Sequence, residues 1–248
     1  MKIIISPTKT MNVQPDHFLP QSQPIFLTET KQILAVLQQF SLEEATNLWK
    51  CSAPLALENY ERIQNMNFSR HTTPAIVSYK GLQYQYMAPE LFTETALEYV
   101  QENVRILSGF YGILRPFDGI VPYRLEMQAP LSVENSKHLY DFWGQKLYEV
   151  LFTDKQPIIN LASKEYAKTL TPYLQADDRL IEIAFMHQID GKLKVKATLA
   201  KMARGEMVRY LAENQITTLD GLKSFDHPHY QFSETNSSEN KLVFLHQE

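Results

Sequence analysis

The chain has 248 residues and a formal net charge of −4, with 44% hydrophobic and 21% charged residues. That composition excludes a wholly disordered chain, a collagen-like repeat and a coiled coil, and the net acidity excludes an all-round basic surface while leaving room for one basic groove. A single cysteine, Cys51, excludes an internal disulfide and a cysteine-based zinc or iron–sulfur site.

Lys2-Ile-Ile-Ile-Ser6 reads as a buried strand ended by Pro7. Residues 12–24 carry Pro15, Pro20 and Pro24 and read as a surface loop. Ile33, Leu34, Leu37 and Phe40 recur at helical spacing, Ser41 and Glu44 form a capping box, and Ser52 with Pro54 starts a further helix. Residues 29–66 are therefore expected to be a helical hairpin or a three-helix lobe. Ala75–Tyr79 reads as a strand, Thr93–Asn103 as a helix and Val104–Leu107 as another strand. A helix is expected around Leu139–Phe152 and a buried strand over Pro157–Leu161. Asp190-Gly191 between two alternating runs, Leu180–His187 and Lys192–Lys196, is a strong hairpin signal. Residues 198–214 form a helix with Leu199, Ala203, Met207 and Leu211 on one stripe, 233–240 a solvated loop, and Lys241–Leu245 a terminal strand. Intermixed strands and helices, with no polar linker to divide them, predict an α/β (mixed α+β) fold in one domain over 1–248.

The chain lacks the phosphate-loop, dinucleotide, nucleophile-elbow and zinc-helix signatures. His227 and His229 beside Asp226 read as a loop with scattered histidines, and no metal site is expected. Two strand tips carry polar groups: Ser6 and Lys9 at the end of the first strand, Asn160 and Ser163 at the tip of the strand at 157–161. Strand tips of open α/β sheets hold ligands, and these groups suit a phosphate or carboxylate; the alternative is a turn with a solvated lysine. If the strands are parallel neighbours, the two tips share one cleft. Arg124 and Glu126 fall on one face of an extended segment, as an acid/base pair or as a structural ion pair.

Three glycines, Gly109, Gly112 and Gly119, cluster beside Arg115. Their turn either frees backbone N–H groups for a phosphate or is simply tight. Lys192, Lys194, Lys196, Lys201, Arg204 and Arg209 face only Glu206 within 192–209. Such a run is either the footprint of a polyanion partner or a solvated face. It is offset by an acidic C-terminal stretch with Asp226, Glu234, Glu239 and Glu248 against Lys241. Cys51, with no resolving partner, is expected to be buried and inert. No apolar run reaches the about 18 residues of a membrane span. With no signal peptide either, a cytoplasmic address is expected.

Six collinear segments carry a family likeness: Ile-Ser-Pro-Thr-Lys-Thr (5–10), Leu-Ser-Gly-Phe-Tyr-Gly-Ile-Leu-Arg-Pro-Phe-Asp (107–118), Pro-Tyr-Arg-Leu-Glu-Met (122–127), Leu-Tyr-Asp-Phe-Trp-Gly (139–144), Ile-Asn-Leu-Ala-Ser-Lys-Glu-Tyr (159–166) and Lys-Met-Ala-Arg-Gly (201–205). Together they resemble the YaaA family of peroxide stress proteins along essentially the whole chain. The resemblance implies a cytoplasmic protein that helps cells survive hydrogen peroxide by limiting free intracellular iron. It also implies binding of double-stranded DNA through a helix-hairpin-helix-like element and a positively charged cleft, with no cofactor and no established catalytic activity. By position, Ser108–Pro116 is the hairpin. Its glycines are separated by two residues where the usual hairpin has one, and Leu82-Gln-Tyr84 stands where the family commonly has Asp-Val-Tyr. The expected DNA contacts are Gly109, Gly112, Arg115, Lys192, Lys194, Lys201, Arg204 and Arg209. The second reading is an enzyme acting on a nucleotide or nucleic-acid phosphate. There Lys9 would hold phosphate and Glu126 would act as general acid or base, within a cleft of Ser6, Lys9, Arg124, Glu126, Asn160 and Ser163.

Overall fold

Ile3, Ile4 and Ile5 are fully buried, as befits a central strand covered on both faces. They lie in β1 (Lys2–Ile5) of the computed structural model, which describes residues 1–13, 18–69 and 72–247. Pro15, within the expected surface loop, and the acidic Glu248 lie outside the described residues. The further strands of the main sheet are β2 (Val104–Ser108), β3 (Gly112–Leu114), β4 (Ile158–Leu161), β5 (Leu180–Ile189), β6 (Lys192–Lys194), β7 (Tyr230–Phe232) and β8 (Lys241–His246). Their order is β7-β8-β5-β4-β1-β2-β3, with β6 also on β5. The neighbours β1, β2, β4, β5 and β8 run parallel, and β3, β6 and β7 are added antiparallel. This is the expected mixed α/β fold, with a mostly parallel centre. The core runs continuously from Ile3 to Phe244.

Around the sheet pack α1 (Leu27–Leu37), α2 (Leu42–Trp49), α3 (Ala53–Gln64), α4 (Leu82–Met87), α5 (Glu94–Asn103), α6 (Leu139–Trp143), α7 (Lys146–Leu151) and α8 (Ala197–Glu213). The first three make the three-helix lobe. Its capping box is complete: Glu44 N–H donates to Ser41 Oγ (3.2 Å) and Ser41 N–H to Glu44 Oε2 (2.8 Å). Cys51, beside this lobe, is half-buried rather than fully buried.

Three elements depart from expectation. Ala75–Ser78 is one helical turn, and only Tyr79–Lys80 is extended. The amides of Ala75 and Ile76 bond the carbonyls of Asp118 and Pro116, which leaves no strand ladder there. A short apolar run does not distinguish buried strand from buried helix. The helix at 139–152 is two, broken where Gly144 takes φ +49°. The tract 233–240 contains a helical turn, Glu234–Asn236.

The segment Ser108–Pro116 is a β-hairpin, not a helix-hairpin-helix element: β2 and β3 flank its turn. The amides of Phe110 and Tyr111 donate inward to Ser108 Oγ (3.1 and 2.9 Å), and Trp143 Nε1 donates to Gly109 O (3.0 Å). Gly109 and Gly112 are both buried. A Cβ on Gly109 would meet Leu125 O at 2.9 Å, so this glycine lets residues 125–127 pass close by.

His187, His227, His229 and His246 gather at the far end of the sheet. His187 bonds Tyr230 Oη (2.9 Å) and stacks on His246. His227 Nε2 meets Glu206 (2.8 Å), while its Nδ1 accepts from His229 N–H (3.0 Å). Both nitrogens of His227 are thus engaged. Among the described residues, no three His, Cys, Asp or Glu side chains are grouped to hold a metal ion. Also among them, no helix is long and apolar enough to cross a membrane.

Burial, then the neighbouring His246 and Lys196, hold His187 below its ordinary pKa of 6.5. The unfolded chain takes up this proton at higher pH than the folded one. The stabilisation is therefore full above the unfolded value and is lost as pH falls from there through the lower folded value. Urea unfolding is expected to show stability falling between about pH 7 and pH 5, with a shallower fall in His187→Gln. Identical slopes for the two proteins would remove His187 as the cause.

Candidate anion-binding cleft

Parallel pairing of β1 with β4 sets Ile4 beside Asn160 and Ile5 beside Leu161, so both strands end together. Their tips are tied directly, because Ser163 N–H donates to Ser6 Oγ (2.8 Å). The two polar tips thus share a cleft of about 400 Å³ at the C-terminal ends of the parallel strands, where open α/β sheets place ligands.

Four more elements close the cleft. Thr10 and Met11 pair with Lys80 and Tyr79, and Lys80 N–H donates to Thr8 Oγ1 (3.1 Å), which brings Lys80 over Lys9 and its loop. The segment held by Gly109 delivers Arg124 and Glu126. Helix α8 supplies Lys201 and Arg204, and the turn after β4 supplies Glu165. Helix α4 supports the floor: Tyr84 Oη donates to Ser6 O (2.9 Å).

Five cations, Lys9, Lys80, Arg124, Lys201 and Arg204, thus face two carboxylates, Glu126 and Glu165. Among the described residues, one cation is paired within the cleft: Lys9 Nζ lies 2.7 Å from Glu126 Oε1. Glu126 therefore pairs with Lys9 and not with Arg124. Arg124 is only 9% exposed, and among the described residues neither its Nε nor that of Arg204 has a hydrogen-bond partner. Buried donors without acceptors are costly, typically about 1–3 kcal/mol each and more when charged. An incoming anion would remove that cost. Burial also lowers the pKa of the Arg204 guanidinium from its ordinary value, with Glu182 opposing. Burial raises the Glu165 carboxyl, an effect opposed by the Gln128 N–H that donates to it (3.2 Å) and reinforced by Glu126.

The expected contacts divide sharply. Lys201 and Arg204 join Ser6, Lys9, Arg124, Glu126 and Ser163 in the cleft. Asn160 turns its Oδ1 to Ala162 N–H (3.0 Å) and lines the adjoining cavity. Arg115 sits at the opposite end of the sheet, in a small cavity with Lys2, Arg105 and Asp118. Lys192 and Lys194 lie on the exposed strand β6, where Lys194 faces Asp190 (3.7 Å). Arg209 is paired with Glu213 (2.8 Å), outside the cleft lining. Gly109 and Gly112 lie inside the fold, so their amides face no solvent-borne phosphate. Lys80 and Glu165 were not singled out from sequence. Lys80-Gly81 after an apolar run and Glu165 within the Ser-Lys-Glu-Tyr stretch were the signals available.

A family model described as "Peroxide stress protein YaaA" matches residues 1–236. A UPF0246 protein of Lactiplantibacillus plantarum is 57% identical over 247 residues, covering 100% of both chains. A UPF0246 protein of Limosilactobacillus reuteri is 55% identical over 98% of both chains, and one of Lachnoclostridium phytofermentans is 50% identical over 99% of this chain and 96% of its own. With a family model across nearly all its length and relatives alike from end to end, the chain belongs to the YaaA family of peroxide stress proteins.

Proposed function

We propose that the chain serves the peroxide stress response in the cytoplasm by binding double-stranded DNA, with the strand-tip cleft as its phosphate contact. The observation that carries this reading is the gathering of five cations from four separate parts of the chain at one polar cleft. A net charge of −4 makes that gathering local rather than general. The contact is to backbone phosphate, so it carries little base information and strong salt dependence. Limitation of free iron, the other property the family resemblance implies, is assigned downstream of the DNA contact. Among the described residues, no cluster of ligands suits direct iron capture.

The test is an electrophoretic shift at rising salt. Four phosphate contacts give a slope of log affinity on log salt of roughly −3 to −4, or about a hundredfold loss between about 50 and 200 mM salt. No binding to any duplex at low salt would overturn the reading. A second reading, an enzyme acting on a nucleotide or nucleic-acid phosphate, is favoured by one feature: Glu126 and Glu165 stand among the cations, where a general acid or base is needed. Phosphate or nucleotide release that vanishes in both Glu126→Gln and Glu165→Gln supports it. Substrate left intact by the wild-type chain removes it.

A further inference from the structure

Beyond the cationic cleft, on the other side of Ser163, Lys201 and Arg204, lies a second cavity of about 750 Å³. Those three residues line both spaces and form a shared wall. The linings of the two spaces differ. The cleft is polar and cationic, whereas the second chamber joins apolar Ala167, Leu174 and Ala184 with the charged Lys164, Lys168 and Glu182 and with the amide of Asn160. Small side chains at 167 and 184 leave the space open.

We propose that cleft and chamber together hold one unpaired nucleotide, its phosphate among the cations of the cleft and its base in the chamber. This rests on the phosphate reading of the cleft and deepens it. Two facts support the pairing. Arg204, whose Nε has no hydrogen-bond partner among the described residues, belongs to the shared wall, so an anion bound there borders the chamber. The chamber also exceeds what a phosphate needs and combines apolar side chains with hydrogen-bonding groups, among them Asn160 and Glu182, the kind of lining that can orient a planar heterocycle. A base stacked in a duplex cannot enter. The nucleotide is therefore either free or swung out of its strand, at a cost of a few kcal/mol that is least at a mismatch.

The experiment separates these sources. The full chain is titrated with nucleoside monophosphates, and separately with duplexes carrying 2-aminopurine at a mismatched or a paired position. Extrusion gives a several-fold rise in 2-aminopurine emission that saturates with binding and is larger at the mismatch. A free-nucleotide site gives monophosphate binding and silent duplexes. In either case Ala184→Leu, which puts a bulkier side chain on the chamber wall where the base would lie, lowers the base-dependent response about tenfold while the shift of a fully paired duplex persists. Ala167→Leu is the second variant, should the first fail to fold.

Duplex binding with neither monophosphate binding nor an emission change overturns the proposal and leaves the DNA reading intact. Responses equal in wild type and in a folded variant that narrows the chamber overturn it as well. Monophosphate binding without any duplex binding sinks the DNA reading and keeps the nucleotide site. No binding of any of these ligands sinks both.

Discussion

Replacing Gly205 with alanine is expected to lower the melting temperature by roughly 5–10 °C and to weaken DNA binding beyond that loss. Helix α8 crosses α4 at this residue. A Cβ there would fall 2.1 Å from Gln83 O and 2.9 Å from Met87 N, both backbone atoms of α4. Flexible side chains give way at little cost, but a helix backbone does not, so the two helices must separate. Overpacking a tight core costs typically about 1–3 kcal/mol, and a clash with backbone belongs at the upper end. Each kcal/mol moves the midpoint by about 2–4 °C in a chain of this size. The effect on binding follows from position: Gly205 is next to Arg204 and one turn from Lys201, so any shift of α8 carries both cations out of register with Lys9 and Arg124. Gly191→Ala is the contrast. Among the described residues no atom lies within 4 Å of a Cβ built there, so its φ of +71° is what is at stake, and the melting temperature falls by less. A midpoint for Gly205→Ala within about 1 °C of wild type would show that α4 and α8 are not held by this contact.

What the sequence disclosed, and what it withheld, follows from contact range. Local chemistry was legible. The isoleucine run of β1, the Ser41–Glu44 box and the Asp190-Gly191 hairpin are all specified within a few residues, and all stand in the structure. The polar strand tips were legible too, because Ser6 and Ser163 each follow an apolar strand directly. Their meeting depended on β1 and β4 being neighbours, which no local pattern states. Longer links were invisible. Lys80 reaches the cleft only because Tyr79–Lys80 pairs with Thr10–Met11. Glu126 chose Lys9, far away in sequence, over Arg124 two residues off. The glycine cluster misled most. Scarce glycines signalled a special backbone at Gly109 and Gly112, and the backbone is special, but it serves internal packing against Leu125–Met127 and Trp143 rather than an external phosphate. Likewise the alternation of Lys192 and Lys194 with Leu193 marked an exposed strand face, while charge count alone did not tell which of the basic residues converge.

That last distinction gives the other large expected effect. Lys201→Glu combined with Arg204→Gln is expected to weaken duplex binding at least about a hundredfold and to reduce the salt slope by about 2, one for each phosphate contact removed. Lys201 is exposed, so reversing its charge leaves packing alone. Arg204 is different. It is half-buried, and Glu182 is its principal charged neighbour. Glutamate there would set two carboxylates against each other in a poorly solvated place, and lost binding would then be confused with lost folding. Glutamine removes the charge while keeping length and polarity, and the pair should melt close to wild type. The matching control is Lys192→Glu with Lys194→Glu. It reverses as many charges as the test removes, or more, on a strand that does not line the cleft. If position rules, this control costs less than about tenfold, through the weakened long-range field alone. If summed charge rules, the two double variants lose affinity alike and the basic run 192–209 acts as a diffuse surface. An unchanged slope in the Lys201/Arg204 variant would take the phosphate contact away from the strand-tip cleft altogether.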